Sequence, residues 1–243
     1  MPKVKQAPAS ALPNGETAEP ARVKGASIAT PEVFIPRLTI DHAFIEIVGT
    51  SSLICHAFPD KEKARMRHSR QTDESIQPKE KGKSRKIRDV RDFEAEYQAS
   101  MYPIDGGKYG FPAIAFKRAI VAACRQISNL DMTMANRIIF VTGPHQSKGF
   151  DCVEIVGKPR MREDIVRLAG IDKPPDIRYR AEFMPWKATL HIEFNRLMIS
   201  LDGIYNLVQY AGWSEGVGEQ RPSAPKKSGN NGRFDIANSK KGQ

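Results

Sequence analysis

The feature that most constrains the fold of this chain is the segment WKATLHIEF at residues 186–194, where apolar side chains occupy every second position. Alternate residues of a β-strand point to opposite faces of a sheet, so this pattern predicts a strand with one buried face. Four other segments, rich in apolar and β-branched residues, are also predicted strands. They are LTIDHAFIEIVG (38–49), RIIFV (137–141), CVEIV (152–156) and RFDIA (233–237).

Two further segments carry apolar residues at helical spacing. Pro112 suits the first position of a helix that continues to Ile127, because its missing N–H costs nothing there. Ser200 is predicted to cap a second helix through Tyr210, which Gly212 would end. A short helix is also expected over residues 92–100.

The order of these elements predicts the fold class. Strand, helix, strand, strand, helix, strand is the βαββαβ order of an α+β, ferredoxin-like (RRM-like) core, with three candidate segments for its two central strands. In that fold two helices cover one face of an antiparallel sheet. We therefore expect a ferredoxin-like core that carries basic insertions.

Positive charge is concentrated in three segments of the chain. The formal net charge is +10, and residues 61–91 hold 12 Lys or Arg against 5 acidic residues. Residues 158–180 hold 7 against 4, and residues 219–243 hold 6 against 2. Basic segments on a patterned scaffold are typical of proteins that bind nucleic acid.

The same composition predicts the domain organisation. Residues 1–32 are rich in Ala, Pro and Gly and are expected to form a disordered tail. Residues 33–237 would form a single domain with basic insertions at 59–91 and 158–183, the first of them a long mobile loop. Residues 238–243 are a predicted C-terminal tail.

Several classes of protein are disfavoured by what the sequence lacks. Cys55, Cys124 and Cys152 form no CxxC pair, so neither a disulfide framework nor a zinc site is expected. The sequence contains no phosphate-binding GxxxxGK[ST] motif, and no cofactor is predicted. No apolar run approaches the roughly 20 residues that span a bilayer, and the N-terminus does not resemble a signal peptide. We expect a cytoplasmic protein with no membrane partner.

A glycine-rich segment, GWSEGVGEQRPSAPKKSGNNGRF, follows the second predicted helix. Together with a βαββαβ core and a basic insertion, it resembles the RAMP superfamily of CRISPR RNA-binding proteins over residues 38–237. The likeness is to backbone subunits that polymerise along a guide RNA; KYGFPAIAFKRAIVAACR and GVGEQRP also resemble uncharacterised tailed-phage proteins. The resemblance implies that residues 158–183 form a thumb-like hairpin over single-stranded RNA, and that the glycine-rich loop lies against the RNA backbone.

The candidate RNA-binding residues lie in these basic segments. Arginine and lysine neutralise phosphates, and aromatic rings stack on unpaired bases. In the hairpin the candidates are Arg160, Arg162, Arg167, Arg178, Tyr179 and Arg180. Arg221 and Arg233 flank glycines in the glycine-rich loop, and the 59–91 insertion adds Lys83, Arg85, Lys86 and Arg88.

The sequence favours a non-catalytic RNA-binding protein that oligomerises head to tail along a guide-like RNA. Target RNA or DNA would be further partners. One alternative is a phage single-stranded DNA-binding or annealing protein, and another is a virion protein that faces packaged nucleic acid. A third is an RNA-processing endoribonuclease, for which His42 or His56 would be the base and Asp60 a remote candidate.

Overall fold

The computed structural model describes residues 35–71, 91–127, 130–167, 175–225 and 227–237. Contacts divide the chain after residue 37, and the fold below occupies residues 38–237. The two predicted tails, residues 72–90 of the first basic insertion and residues 168–174 of the second lie outside the described residues. Lys83, Arg85, Lys86 and Arg88 therefore have no structural description.

Strands dominate the described part of the chain, and they differ greatly in length. Two of them, β7 and β8, are far longer than the rest and form one hairpin. The strands are β1 (Ile40–Gly49), β2 (Leu53–Cys55), β3 (Tyr102–Ile104), β4 (Lys108–Pro112), β5 (Ile139–Thr142), β6 (His145–Ser147), β7 (Phe150–Arg167), β8 (Pro175–Asn195) and β9 (Phe234–Ile236).

The five helices in the described residues are all shorter than β7 and β8, and most of them begin at an identifiable capping residue. Asp92 accepts a hydrogen bond from the Ala95 N–H at 3.0 Å, and the Ser200 hydroxyl accepts one from the Gly203 N–H at 3.1 Å. The Ser200 cap confirms the predicted start of the last helix. The helices are α1 (Asp60–Gln71), α2 (Phe93–Ala99), α3 (Ala113–Ala123), α4 (Met132–Ile138) and α5 (Leu201–Tyr210).

Strand β8 lies at the centre of the sheet. It pairs with β1 and β2 on one side and with β5 and β7 on the other. β9 adds to β1, while β4 and then β3 continue the sheet beyond β7. These pairings are antiparallel, so the protein is α+β with a mostly antiparallel sheet. Strands β2, β3, β4 and β6 are additional to the predicted six-element pattern.

The two faces of the sheet differ in burial. Trp186, Ala188, Leu190, Ile192 and Phe194 are all buried, which confirms the predicted alternation in β8. They join side chains of β1, α3 and α5 in one core on the helix side of the sheet. The opposite face carries exposed apolar side chains, including Phe44. We call this opposite face the open face.

The end of α5 differs from the prediction. The helix does not end at Gly212. It continues as a π-helical turn over residues 211–215, and Gly216 follows with a φ of 65°. A Cβ at Gly212 would lie 2.0 Å from the Phe234 carbonyl oxygen. Gly212 is needed for the close approach of β9, and Gly216 supplies the left-handed residue that ends the helix.

The first part of the basic insertion is also more ordered than predicted. Residues 60–71 form helix α1 instead of a mobile loop. The segment DKEKARMRHSRQ is rich in residues of high helix propensity, and Lys63 contacts Asp60 at 3.0 Å, one turn away. Low hydrophobicity alone was a poor guide to the conformation of this segment.

Candidate nucleic-acid interface

The predicted insertion at residues 158–183 is the outer half of the β7–β8 hairpin. Its arms pair from Pro159–Phe183 to Arg167–Pro175, after an irregularity between Gly157 and Pro159. Phe183 and Ala181 are buried in the main core. The hairpin therefore extends the central strands continuously and is rooted in the core of the protein.

Three of the predicted phosphate-binding arginines contact carboxylates across this hairpin. Arg160 Nε lies 2.8 Å from Glu182 Oε2, and Arg162 Nη1 lies 3.1 Å from Glu182 Oε1. Arg162 Nε also lies 2.9 Å from Asp164 Oδ1, and Arg180 Nη1 lies 3.1 Å from Asp164 Oδ2. We call these five residues the hairpin ion ladder.

Three members of the ladder are buried. Arg180 and Glu182 are each 4% exposed, and Asp164 is 8% exposed. Burial by itself raises the pKa of the Glu182 carboxyl, but hydrogen bonds from Arg160 and Ser52, together with the charges of Arg160 and Arg162, leave the pKa below its usual value. These charges therefore compensate one another inside the protein, and of the three arginines Arg160 has the most exposed side chain.

The remaining hairpin candidates have different surroundings. The Tyr179 ring lies against Phe93 of α2, with 4.6 Å between the ring centroids. Arg91 fastens the same helix to the hairpin, since it contacts Glu96 and Asp176. Tyr179 is thus packed at the junction between α2 and the hairpin, and the backbone of Arg167 lies opposite Pro175 at the end of the described arms.

His56 contacts the hairpin through Arg178. Arg178 Nη1 lies 3.5 Å from His56 Nε2. A guanidinium group can only donate hydrogen bonds, so this nitrogen must be the acceptor of a neutral imidazole ring. Burial, and next the charge of Arg180, lower the pKa of His56, while Glu219 opposes them.

This lowered pKa predicts a pH-dependent stability. The unfolded chain takes up the His56 proton below about pH 6.5, before the folded protein does, so the free energy of unfolding falls as the pH drops through that region. We expect the wild type to lose more stability than His56→Gln between about pH 7.5 and pH 5.5. Urea unfolding at both pH values measures this difference, and equal losses would contradict it.

The glycine-rich loop packs against the protein's own backbone. The Val217 N–H donates to the Gly232 carbonyl at 2.9 Å, the Gly232 N–H to Ser52 at 2.7 Å and the Glu219 N–H to Ile54 at 3.1 Å. Arg221 donates to the Gly218 carbonyl at 3.0 Å. These N–H groups and the Arg221 side chain are bonded within the loop, to β2 or to Ser52 just before it.

A concave site forms where this loop meets the end of α5. The Arg233 guanidinium lies 4.2 Å from the centroid of the Trp213 ring, and Trp213 is 69% exposed. Both residues line a cavity of about 400 Å³. The other lining residues are Thr50, Gln209, Tyr210, Phe234 and Asp235. We call this cavity the Trp213 pocket.

The backbone of Arg233 is fixed by the turn between β1 and β2. Its N–H donates to the Ser51 hydroxyl at 2.9 Å, and its carbonyl accepts from the Thr50 N–H at 2.9 Å. The pocket thus combines an exposed indole, a stacked cation and a phenol ring on a rigid support. Such a site can take a planar ring with an attached anion.

Arg233 is one of the residues predicted from the sequence, whereas Trp213 and Tyr210 were not predicted. Their signal was the sequence YAGW, in which two aromatic residues lie where the predicted helix meets the glycine-rich segment. His42, a candidate base, lies instead on the open face, beside His191. Cys55, Cys124 and Cys152 are free and buried.

Comparisons with known proteins do not assign this chain to a family. The sequence matches no protein-family model and no curated protein. Among solved structures, Cmr6 from Pyrococcus furiosus is similar with 10% sequence identity and a TM-score of 0.37, over 82% of this chain and 100% of that one. This degree of likeness carries no functional argument. None of the helices in the described residues is long and apolar enough to span a membrane.

Proposed function

We propose that this protein binds single-stranded RNA without cleaving it, as a backbone protein that oligomerises along a guide-like RNA. The observation that carries the proposal is the stacked pair of Trp213 and Arg233 in the Trp213 pocket. An exposed aromatic ring can stack on an unpaired base of any identity, and an adjacent arginine can stack on a base or neutralise a phosphate.

The basic balance of the chain supports the same proposal. A formal net charge of +10 favours a polyanionic partner and speeds the encounter with it. On the hairpin, Lys158 is exposed and the Arg160 side chain is 68% exposed, although Arg160 also contacts Glu182. We propose these two side chains for phosphate contacts, and Arg162 and Arg180 for holding the hairpin that presents them.

The connectivity of the sheet supports a ferredoxin-like core. The strands β9, β1, β8 and β5 lie side by side in that order, with α3 between β1 and β5 in sequence and α5 between β8 and β9. This is the arrangement expected of a βαββαβ unit, with β2 and β7 added along the N-terminal part of β8. RNA-binding modules of several kinds use such a sheet as a support for aromatic and basic side chains.

The experiment that tests the proposal starts with protein purified without nuclease treatment. A discrete co-purifying RNA is expected, and sequencing identifies it. Fluorescence anisotropy then compares labelled single-stranded RNA, single-stranded DNA and duplex RNA between about 50 and 200 mM salt. We expect the tightest binding to single-stranded RNA, an affinity that falls with salt, RNA that stays intact, and a complex whose mass grows with RNA length.

Each other outcome selects a different function. Equal or tighter binding to single-stranded DNA would favour the DNA-binding or annealing alternative. Shortened RNA, with cleavage abolished in His42→Ala or His56→Ala, would favour the endoribonuclease. Absence of binding to every nucleic acid at low salt would reject a nucleic-acid-binding function altogether.

A further inference from the structure

Three potential metal ligands meet on the open face of the sheet, away from the features used in the proposed function. His42 projects from β1, and His191 and Glu193 project from β8. The antiparallel register places His42 opposite Glu193 and Phe44 opposite His191. One ligand atom from each of the three residues lies within 4.8 Å of the others.

The two imidazole rings face each other with a separation that suits a shared metal ion. His42 Nδ1 lies 3.1 Å from His191 Nε2. Metal–nitrogen bonds of about 2.0–2.1 Å place two such ligands roughly 3.0–3.4 Å apart on one ion, the lower value in octahedral and the higher in tetrahedral geometry. The observed separation falls within this range, and it is also that of a hydrogen bond between the two rings, which a bound metal would replace.

The orientation of His191 is fixed by contacts to its other ring nitrogen and to its ring face, and its Nε2 is directed at His42. Its Nδ1 lies 2.7 Å from the Thr142 hydroxyl of β5. Phe44 stacks on the same ring, with 4.5 Å between centroids and planes within 2° of parallel. Metal-binding histidines characteristically hydrogen-bond through their other ring nitrogen, which sets the tautomer and the aim of the ligand.

A carboxylate completes the set. Within the described residues the Glu193 carboxylate makes no hydrogen bond or ion pair, although the residue is only partly exposed. Two imidazoles and one carboxylate are a ligand set used for Zn²⁺ and Fe²⁺ at sites that keep further positions open. His191, Phe44 and Thr142 also line a cavity of about 480 Å³, which gives a small ligand of the metal room to bind.

We propose that His42, His191 and Glu193 bind a divalent first-row transition metal ion, of which Zn²⁺ is the probe of choice. Thr142 is a positioning residue for His191. The metal keeps at least one coordination position for water or a small ligand. This inference does not depend on RNA binding, because none of its residues lines the Trp213 pocket.

The test is a Zn²⁺ titration of untagged, metal-stripped protein by calorimetry. The wild type should bind one equivalent, and His42→Ala and His191→Ala should each abolish that binding. Thr142→Val keeps the shape of the side chain and removes the hydroxyl, and it should weaken binding about 10-fold or more. Substitution of Co²⁺ should give a visible absorption spectrum that the two alanine variants lack.

His145→Ala is the matched control, because His145 lines the same cavity but contacts Glu154, at 4.0 Å, and is not one of the three ligands. It should bind Zn²⁺ like the wild type. Zn²⁺ should also raise the Tm of the wild type and of this control, but not of His42→Ala, since only a ligand that prefers the folded state stabilises it. Binding that survives the loss of both His42 and His191, or no binding by the wild type, would overturn the proposal.

Discussion

Replacing Trp213 with alanine is expected to weaken the binding of single-stranded RNA by about 1–3 kcal/mol, or roughly 5- to 150-fold in Kd. The indole is 69% exposed, so its removal costs little folding stability but deletes the ring on which a base can stack. It also frees the Arg233 guanidinium from its cation–π contact. Trp213→Phe should recover part of the affinity. Anisotropy titrations with one labelled RNA measure both variants.

Phe44→Ala is the matched control for this experiment. Phe44 is 67% exposed, nearly the same as Trp213, but it lies on the open face of the sheet. If the Trp213 pocket holds RNA, the loss of Phe44 should leave Kd within about twofold of the wild type. A large loss of RNA affinity in Phe44→Ala, together with an unchanged affinity in Trp213→Ala, would indicate that RNA binds to the open face and would reject the pocket as its site.

The elements that the sequence predicted well are those in which the buried residues recur at a regular spacing along the chain. Trp186 and Phe194 follow the period of a strand with one buried face, and Ile204, Leu207 and Val208 follow the period of α5. Such periodicity reflects which face of an element meets the core. It needs no knowledge of the partner element, so one sequence is enough.

The environments of the hairpin arginines could not be predicted in the same way. A count of charges along the chain treats each arginine as available to a ligand. Arg160 and Glu182 are 22 residues apart in sequence, yet the register of β7 and β8 places them opposite each other. Cross-strand pairing depends on register, and the sequence gives no direct measure of register within a long polar hairpin.

The glycine-rich loop illustrates a related difficulty. Its glycines were expected to permit close approach of RNA, but close approach to the protein's own backbone already accounts for several of them. At Gly232, where φ is 70°, a Cβ would lie 1.7 Å from the Val217 carbonyl oxygen. At Gly218 it would lie 2.7 Å from the Ile54 carbonyl oxygen. A glycine in a sequence indicates a tight approach without indicating which molecule approaches.

The hairpin ion ladder predicts a large effect on stability. Asp164→Asn is expected to lower the free energy of unfolding by about 3–5 kcal/mol, because removing one partner of a buried ion pair leaves the other charge uncompensated. Arg180 is 4% exposed, and Asp164 is the one carboxylate within the described residues that it contacts as an ion pair. Its Nε is already buried without a hydrogen-bond partner, so water offers little compensation. Urea denaturation at neutral pH measures the change.

Glu163→Gln serves as the control, since Glu163 is adjacent in β7 but exposed on the other side of the strand. Substitution of an exposed carboxylate should change the free energy of unfolding by no more than about 1 kcal/mol. Equal, small effects in both variants would show that water or rearrangement solvates Arg180, and that the ladder does not hold the hairpin. A large effect confined to Asp164→Asn would mean that Arg180 serves the hairpin as a buried structural cation. The phosphate contacts would then fall to exposed side chains of the hairpin, such as Lys158 and Arg160.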